Sequence, residues 1–252
     1  MHQRIVLITG GSRGLGKNAA LALAAKGVDV LITYHSQQQE AQNVVEEIQR
    51  MGRKSAAILL NVGDSSTFNT FVSKVSEQLG LLWGRNTFDY LLNNAGVGID
   101  ASFSDTTEAQ FDLLMNIHLK GPFFLTQQLL PLLANGGRIL NVSTGLTRFT
   151  LPGKAAYAAM KGAMEVLTVY QAKELGPRGI AVNIIAPGAI ATDFGEGAVR
   201  DNPHVAQAIA SQTALGRVGQ PDDIGQAIAV ILNEEMGWVN AQRIEASGGM
   251  FL

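Results

Sequence analysis

The chain opens on an unbroken apolar run, "RIVLIT" at residues 4–9, closed by Gly10 and Gly11. A run without polar alternation suits a strand buried on both faces. Residues 14–26, "GLGKNAALALAAK", then space Ala and Leu at helical intervals and stop at Gly27. These two patterns alternate to the end of the chain. Further strands are expected at 28–33, 54–61, 88–92, 137–143, 180–185 and 241–246. Helices are expected at 39–51, about 65–80, 107–134, 155–175 and 221–233. The 107–134 stretch is interrupted near Gly121-Pro122, and the last helix starts with Pro221 and two aspartates, an N-terminal signal. Short connections between alternating strands and helices predict parallel strands joined by right-handed crossovers. The expected fold is α/β, a Rossmann-type, doubly wound, mainly seven-stranded parallel sheet with helices on both faces. No linker, repeat or low-complexity tract is visible, so one domain is expected over residues 1–252.

Composition narrows the function classes. Hydrophobic residues make up 46% and charged residues 16%, a balance that suits a doubly covered sheet or a subunit with oligomeric contacts. The net charge of −2 carries no basic block, which argues against nucleic acid as a partner. Cysteine is absent, which removes disulfides, thiolate nucleophiles and Cys-ligated metals. The histidines at 2, 35, 118 and 204 show no ligand spacing with carboxylates, so no metal is expected. His118 and Lys120 read as surface or packing residues. The N-terminal stretch has no leader-like apolar segment, and no apolar run approaches the ~20 residues that span a bilayer. A cytoplasmic, soluble protein with no membrane partner is expected.

Between the first strand and first helix lies "TGGSRGLG", residues 9–16. Gly10, Gly14 and Gly16 let the chain turn tightly and let a pyrophosphate reach backbone amides at the helix N-terminus, beside Ser12. The second strand ends in Tyr34, His35 and Ser36, with no acid until Glu40. A carboxylate there commonly accepts from the ribose 2′-hydroxyl of NAD, and its absence removes repulsion against a 2′-phosphate. Arg13 supplies positive charge and Ser36 a hydrogen bond, so NADP is preferred over NAD.

Tyr157 and Lys161 stand four apart in a helical segment and share its face. A neighbouring ammonium, together with cofactor charge, favours the phenolate. A phenol tuned this way protonates a carbonyl oxygen as hydride reaches the carbon, and deprotonates an alcohol in reverse. A hydroxyl at the end of the fifth strand holds the same oxygen at the carboxyl edge, where doubly wound folds bind ligands.

Seven motifs stand in one order: "TGGSRGLG" (9–16), "NNAG" (93–96), Asn116 in "MNIHLKG", the hydroxyls 143–144, "YAAMK" (157–161), "PGAIAT" (187–192) and "GRVGQPDDIG" (216–225). In these the chain resembles the short-chain dehydrogenase/reductase family in its single-domain form, close to the 3-oxoacyl-[acyl-carrier-protein] reductase-like members. The resemblance runs from about residue 4 to the C-terminus. It implies that Gly10, Gly14 and Gly16 hold the pyrophosphate with Leu15 beside it. It also implies that Asn94, with Ala95 and Gly96, supports the adenosine side and the fourth strand. Asn61-Val62 stands where the family usually has Asp-Val against the adenine, so the charge is lost there and an acceptor oxygen kept. Tyr157 is implied as general acid/base, Lys161 as the nicotinamide-ribose ligand, and Asn116 as the anchor of a proton-relaying water. Pro187, Gly188, Ile190 and Thr192 are implied around the nicotinamide carboxamide.

Residues 193–215 occupy the place of the family's substrate lid, without a basic cluster for an acyl-carrier protein. Oxoacyl thioester reduction, sugar alcohol oxidation and other carbonyl reduction all stay open for a small-molecule substrate. A nonenzymatic dinucleotide sensor or scaffold is the rival reading, opposed by the intact Tyr157 and Lys161. Segments from the third helix onward and the C-terminal "IEASGGMFL" resemble interface regions of relatives. A homotetramer is expected, or else a dimer, with Ala246-Ser247-Gly248-Gly249 departing from the usual pattern. The family's working hydroxyl lies thirteen residues before the tyrosine, which gives Thr144. Neighbours in an extended chain face opposite ways, so one of the pair serves. A shift of one residue near Gly145 would bring in Ser143 instead.

Overall fold

The computed structural model describes residues 3–252. His2, one of the histidines read for metal-ligand spacing, lies outside the described residues. Seven parallel strands form one sheet in the order β3-β2-β1-β4-β5-β6-β7. They are β1 (Ile5–Ile8), β2 (Asp29–Tyr34), β3 (Ser55–Leu59), β4 (Phe88–Asn93), β5 (Leu133–Val142), β6 (Ala181–Pro187) and β7 (Arg243–Ala246). The central strand β1 is apolar and buried throughout because both faces are covered. In β1, Val6 and Ile8 join the core on one face, while Ile5 and Leu7 join the core on the other. Tyr90 and Leu92 of β4 alternate with Leu91 in the same way.

Helices α1 (Gly14–Ala25), α2 (Gln38–Arg50) and α9 (Pro221–Ile231) cover the first face. Helices α3 (Phe68–Trp83), α5 (Gly121–Leu129) and α6 (Ala155–Leu175) cover the second. Before α5 comes α4 (Glu108–Met115), whose Thr107 and Gln110 form a reciprocal capping box. Three departures from the sequence expectation have local causes. The interruption expected near Gly121-Pro122 is a π-helical stretch at Asn116–Lys120, placed before the proline. The fifth strand begins at Leu133, earlier than the expected 137, because a register shift lets it pair first with Phe88 and then with Tyr90. The irregular lid contains α7 (Ala198–Asp201) and α8 (Pro203–Ser211), the latter started by Asn202, whose side chain accepts from the His204 and Val205 amides.

Strand order reverses between β1 and β4, and the chain leaves both strands at the same edge. Asn94 joins the two exits. Its side-chain amide donates to the carbonyls of Thr9 and Gly10, both at 3.0 Å, and the Thr9 hydroxyl accepts from the Asn94 and Ala95 amides. The crevice is thereby held open by backbone-directed bonds before any ligand arrives.

Candidate active site

A cavity of about 560 Å³ runs along this edge of the sheet. Its first part lies over the glycine loop. Gly10 and Gly14 have φ of +66° and +54°, and a Cβ on Gly16 would sit 2.1 Å from the Gly10 carbonyl oxygen. Only glycine lets this turn fold so tightly. Gly10, Ser12, Arg13, Gly14 and Leu15 face the cavity, whereas Gly16 lies beneath the loop and does not. Tyr34, His35 and Ser36 line the end beyond β2, next to Asn61 and Val62. Asn61 Oδ1 accepts from the Gly63 amide at 3.0 Å, closing its own turn. The length of this trough and its backbone-lined turn fit a dinucleotide.

The cavity continues past Asn94, Ala95 and Gly96 to Pro187, Gly188, Ile190 and Thr192, and ends at Tyr157 and Lys161. Lys161 is buried and donates from Nζ to the Val142 carbonyl at 2.7 Å, at the last residue of β5. Burial lowers its pKa to about 8. The ammonium stands 5.7 Å from the centre of the Tyr157 ring. Enclosure pushes the Tyr157 phenol up, opposed by the neighbouring Thr144 hydroxyl.

The two adjacent hydroxyls separate cleanly. Ser143 is buried and donates to Glu165 Oε1 at 2.6 Å. That carboxylate also accepts from Thr147 at 2.7 Å and from Arg243 Nε at 2.8 Å. Thr144 has an extended backbone (φ −157°, ψ 156°), which turns its side chain the opposite way, to Tyr157. Its hydroxyl also accepts from the Leu146 amide at 3.3 Å. Tyr157, Lys161 and Glu165 succeed one another at i, i+4 and i+8 on α6, so one helix face aims the phenol and ammonium and detains Ser143. The four-residue step from Lys161 to Glu165 was the available signal for this third member.

Asn116 and His118 exchange prominence relative to the sequence reading. Asn116 is half-buried at the head of the π-helical stretch and does not line the cavity. His118, two residues later, is buried and lines it, with its ring edge-on to Tyr157 at 5.1 Å between centroids. Its Nε2 lies 2.8 Å from the Val97 carbonyl oxygen, while its buried Nδ1 has no partner. Burial first, and then the Lys161 ammonium, lower its pKa to about 3, so the ring stays neutral. Lys120 is exposed. The π turn rotates the residues after Asn116 relative to an ideal α-helix, a phase change that spacing alone does not reveal.

The family model described as enoyl-(acyl carrier protein) reductase matches residues 10–251. The chain is 35% identical to the 3-oxoacyl-[acyl-carrier-protein] reductase FabG of Staphylococcus aureus, over 98% of this chain and 97% of that protein. Among solved structures it is similar to the promiscuous reductase LugOII, which catalyses keto-reduction at C1 during lugdunomycin biosynthesis. That match has a TM-score of 0.94 and 35% identity and covers 99% and 98% of the two chains. The angucycline C-6 ketoreductase LanV, solved with bound NADP, matches at TM-score 0.93 and 31% identity, covering 98% and 95%. With the glycine loop, the β1/β4 crevice and the Tyr157–Lys161 helix in place, the chain belongs to the short-chain dehydrogenase/reductase family of oxidoreductases.

Proposed function

We propose that this enzyme is an NADP(H)-dependent carbonyl reductase in which Tyr157 is the general acid and Thr144 positions the reacting oxygen. The observation that carries the reading is the convergence of the Thr144 hydroxyl, the Tyr157 phenol and the Lys161 ammonium at one end of the trough. A bound NADPH supplies a hydride equivalent to the carbonyl carbon. Tyr157 gives its proton to the oxygen, so the C=O bond becomes an alcohol and the phenolate is reprotonated from solvent. Thr144 donates to the same oxygen and favours its developing charge. Lys161 binds the ribose and lowers the energy of the phenolate. His118 is a positioning residue. It wedges the phenol edge-on and ties the helix to Val97, which leads out of the Asn94–Gly96 wall. Asn116 does not face the cavity, so a water anchored there would reach Lys161 through backbone rather than through its side chain.

Preference for NADP is supported by the absence of an acid at Tyr34–Gln37 and by the relative solved with NADP. Arg13 pairs with Asp193 of the lid at 2.7 Å, so it must leave that partner, or share it, to meet a 2′-phosphate. Self-association, with a homotetramer as the proposed assembly, is supported by the exposed apolar residues Val166, Val169 and Tyr170 of α6 and Phe123 and Phe124 of α5. The test is NADPH and NADH consumption against a panel of ketones, with identification of the alcohol product. The expected result is faster turnover with NADPH and loss of turnover in Tyr157→Phe; turnover that survives Tyr157→Phe contradicts the assigned acid.

A further inference from the structure

Resting on that reading of the cavity as a carbonyl-reduction site, we propose that the substrate is a neutral ketone carried on an aryl or fused-ring system. Anionic acyl thioesters and polyols are then poor substrates. Two independent features lead there, the charge balance of the rim and the make-up of the walls.

Apart from Lys161, buried at the cavity floor against the Val142 carbonyl, the cations at or beside the substrate end are paired with carboxylates among the described residues. Lys154 is paired with Asp100, and both line the cavity. Arg148 grips Glu245 through two hydrogen bonds of 2.9 and 2.6 Å and also donates to the carbonyls of Met250 and Phe251. Arg200 of the lid is paired with Asp201 at 2.6 Å. Such exposed pairs are individually weak. Breaking one to admit a phosphate nevertheless leaves its carboxylate facing the anion, so the gain is offset by repulsion. A coenzyme or carrier-protein arm, which brings phosphate, finds no net positive charge to receive it.

The walls near Tyr157 are apolar: Ile99, Leu146, Phe149, Leu151, Phe194 and Val199. A polyol would lose water from several hydroxyls against these apolar walls and recover fewer bonds than it gives up. Two of the walls are rings that approach glycines too closely to admit a side chain there without a shift. A Cβ on Gly145 would lie 2.7 Å from the Phe149 ring, and one on Gly98 would lie 3.1 Å from the Phe194 ring. Phe194 stands 5.9 Å from the Tyr157 ring, centroid to centroid. Phe149 packs on Phe251 at 4.8 Å. Flat, prepositioned aromatic surfaces beside the proton donor favour a rigid ring ligand, which loses little conformational entropy on binding and gains ring–ring contact.

The test uses the full chain with NADPH and compares kcat/KM for 2-tetralone and acetoacetyl-coenzyme A, with hexitol oxidation by NADP as a third arm. The expected preference for 2-tetralone over the thioester is at least about tenfold. Equal or better rates with the thioester or the hexitol overturn the substrate class. Calorimetric titration of 2-tetralone into the NADPH complex separates the two readings. Binding without turnover upholds the substrate class and contradicts carbonyl reduction, whereas no binding overturns the class whatever the enzyme does to other ketones. Phe194→Ala is expected to raise KM for 2-tetralone several-fold more than KM for acetone, and Phe194→Leu to restore only part of the difference. Asp100→Asn, which releases Lys154, is expected to shift the preference ratio toward the thioester. An unchanged ratio in both Phe194→Ala and Asp100→Asn counts against the proposal.

Discussion

At the dinucleotide end the cavity is floored by main chain, a glycine turn joined to the β4 exit through Asn94 and Thr9. At the substrate end the wall is side chain, supplied by the β5–α6 loop, the lid and the C-terminal residues. Backbone offers the same donors and acceptors to any dinucleotide, so its geometry is dictated by sterics and a few irreplaceable glycines. Side-chain walls tolerate exchange and set which carbonyl fits. The Thr144 hydroxyl, the Tyr157 phenol and the Lys161 ammonium line the cavity where the two kinds of wall meet.

Substitution at the junction should have the largest effect. Thr144→Ala is expected to lower kcat by about 10²–10³, the usual cost of losing one donor to a developing oxyanion. Ser143→Ala should stay within about threefold of the parent, since its hydroxyl is committed to Glu165. Steady-state kinetics of the two variants decide the matter, and the reverse order would assign the working oxygen to Ser143.

The backbone end should break in a different manner. Gly16→Ala pushes a methyl into the Gly10 carbonyl and is expected to cost about 1–3 kcal/mol of stability. NADPH affinity should fall alongside, while the ketone preference ratio of the remaining activity stays put. Thermal melting with and without NADPH measures both. A variant with normal affinity and an altered ketone ratio would erase the division between the two ends.

An effect confined to acid pH is expected from His118. Its folded-state pKa of about 3 lies below its ordinary value of 6.5, so the unfolded chain takes up the proton first. Stability from this group is present above pH 6.5 and declines as pH falls toward 3. His118→Asn removes the titration and should flatten that part of the urea midpoint-versus-pH curve. An unchanged acid slope would mean that the ring is not held neutral in the folded state.

The sequence made the two ends legible to different degrees for the same physical reason. Continuous apolar runs had to be doubly covered strands, and their parallel direction followed from the alternation with helices and the short connections, whereas their order in the sheet is read from the structure. The glycine loop and the Tyr157–Lys161 pair could be read because steric necessity and helical period leave few alternatives. Thirteen-residue spacing and strand alternation pointed to Thr144, and the structure supplies what spacing lacked, the Glu165 carboxylate that holds Ser143. His118 was hidden by the π turn, which changes helical phase without a distinctive residue type. The lid helices were hidden by glycines at 195 and 197, although Asn202-Pro203 marks a capped start. Pairing of the rim charges links residues as distant as Arg148 and Glu245, and no local pattern encodes it.

The central claim is that the junction of the two walls transfers hydride to a carbonyl with Tyr157 as its acid. Single-turnover mixing of the preformed NADPH complex with 2-tetralone tests it most directly, comparing the parent chain with Tyr157→Phe. NADPH fluorescence reports binding in the same samples. The account predicts NADPH binding within about threefold of the parent and hydride transfer slowed by at least about 10². Transfer at the parental rate in the fully NADPH-bound variant would contradict it.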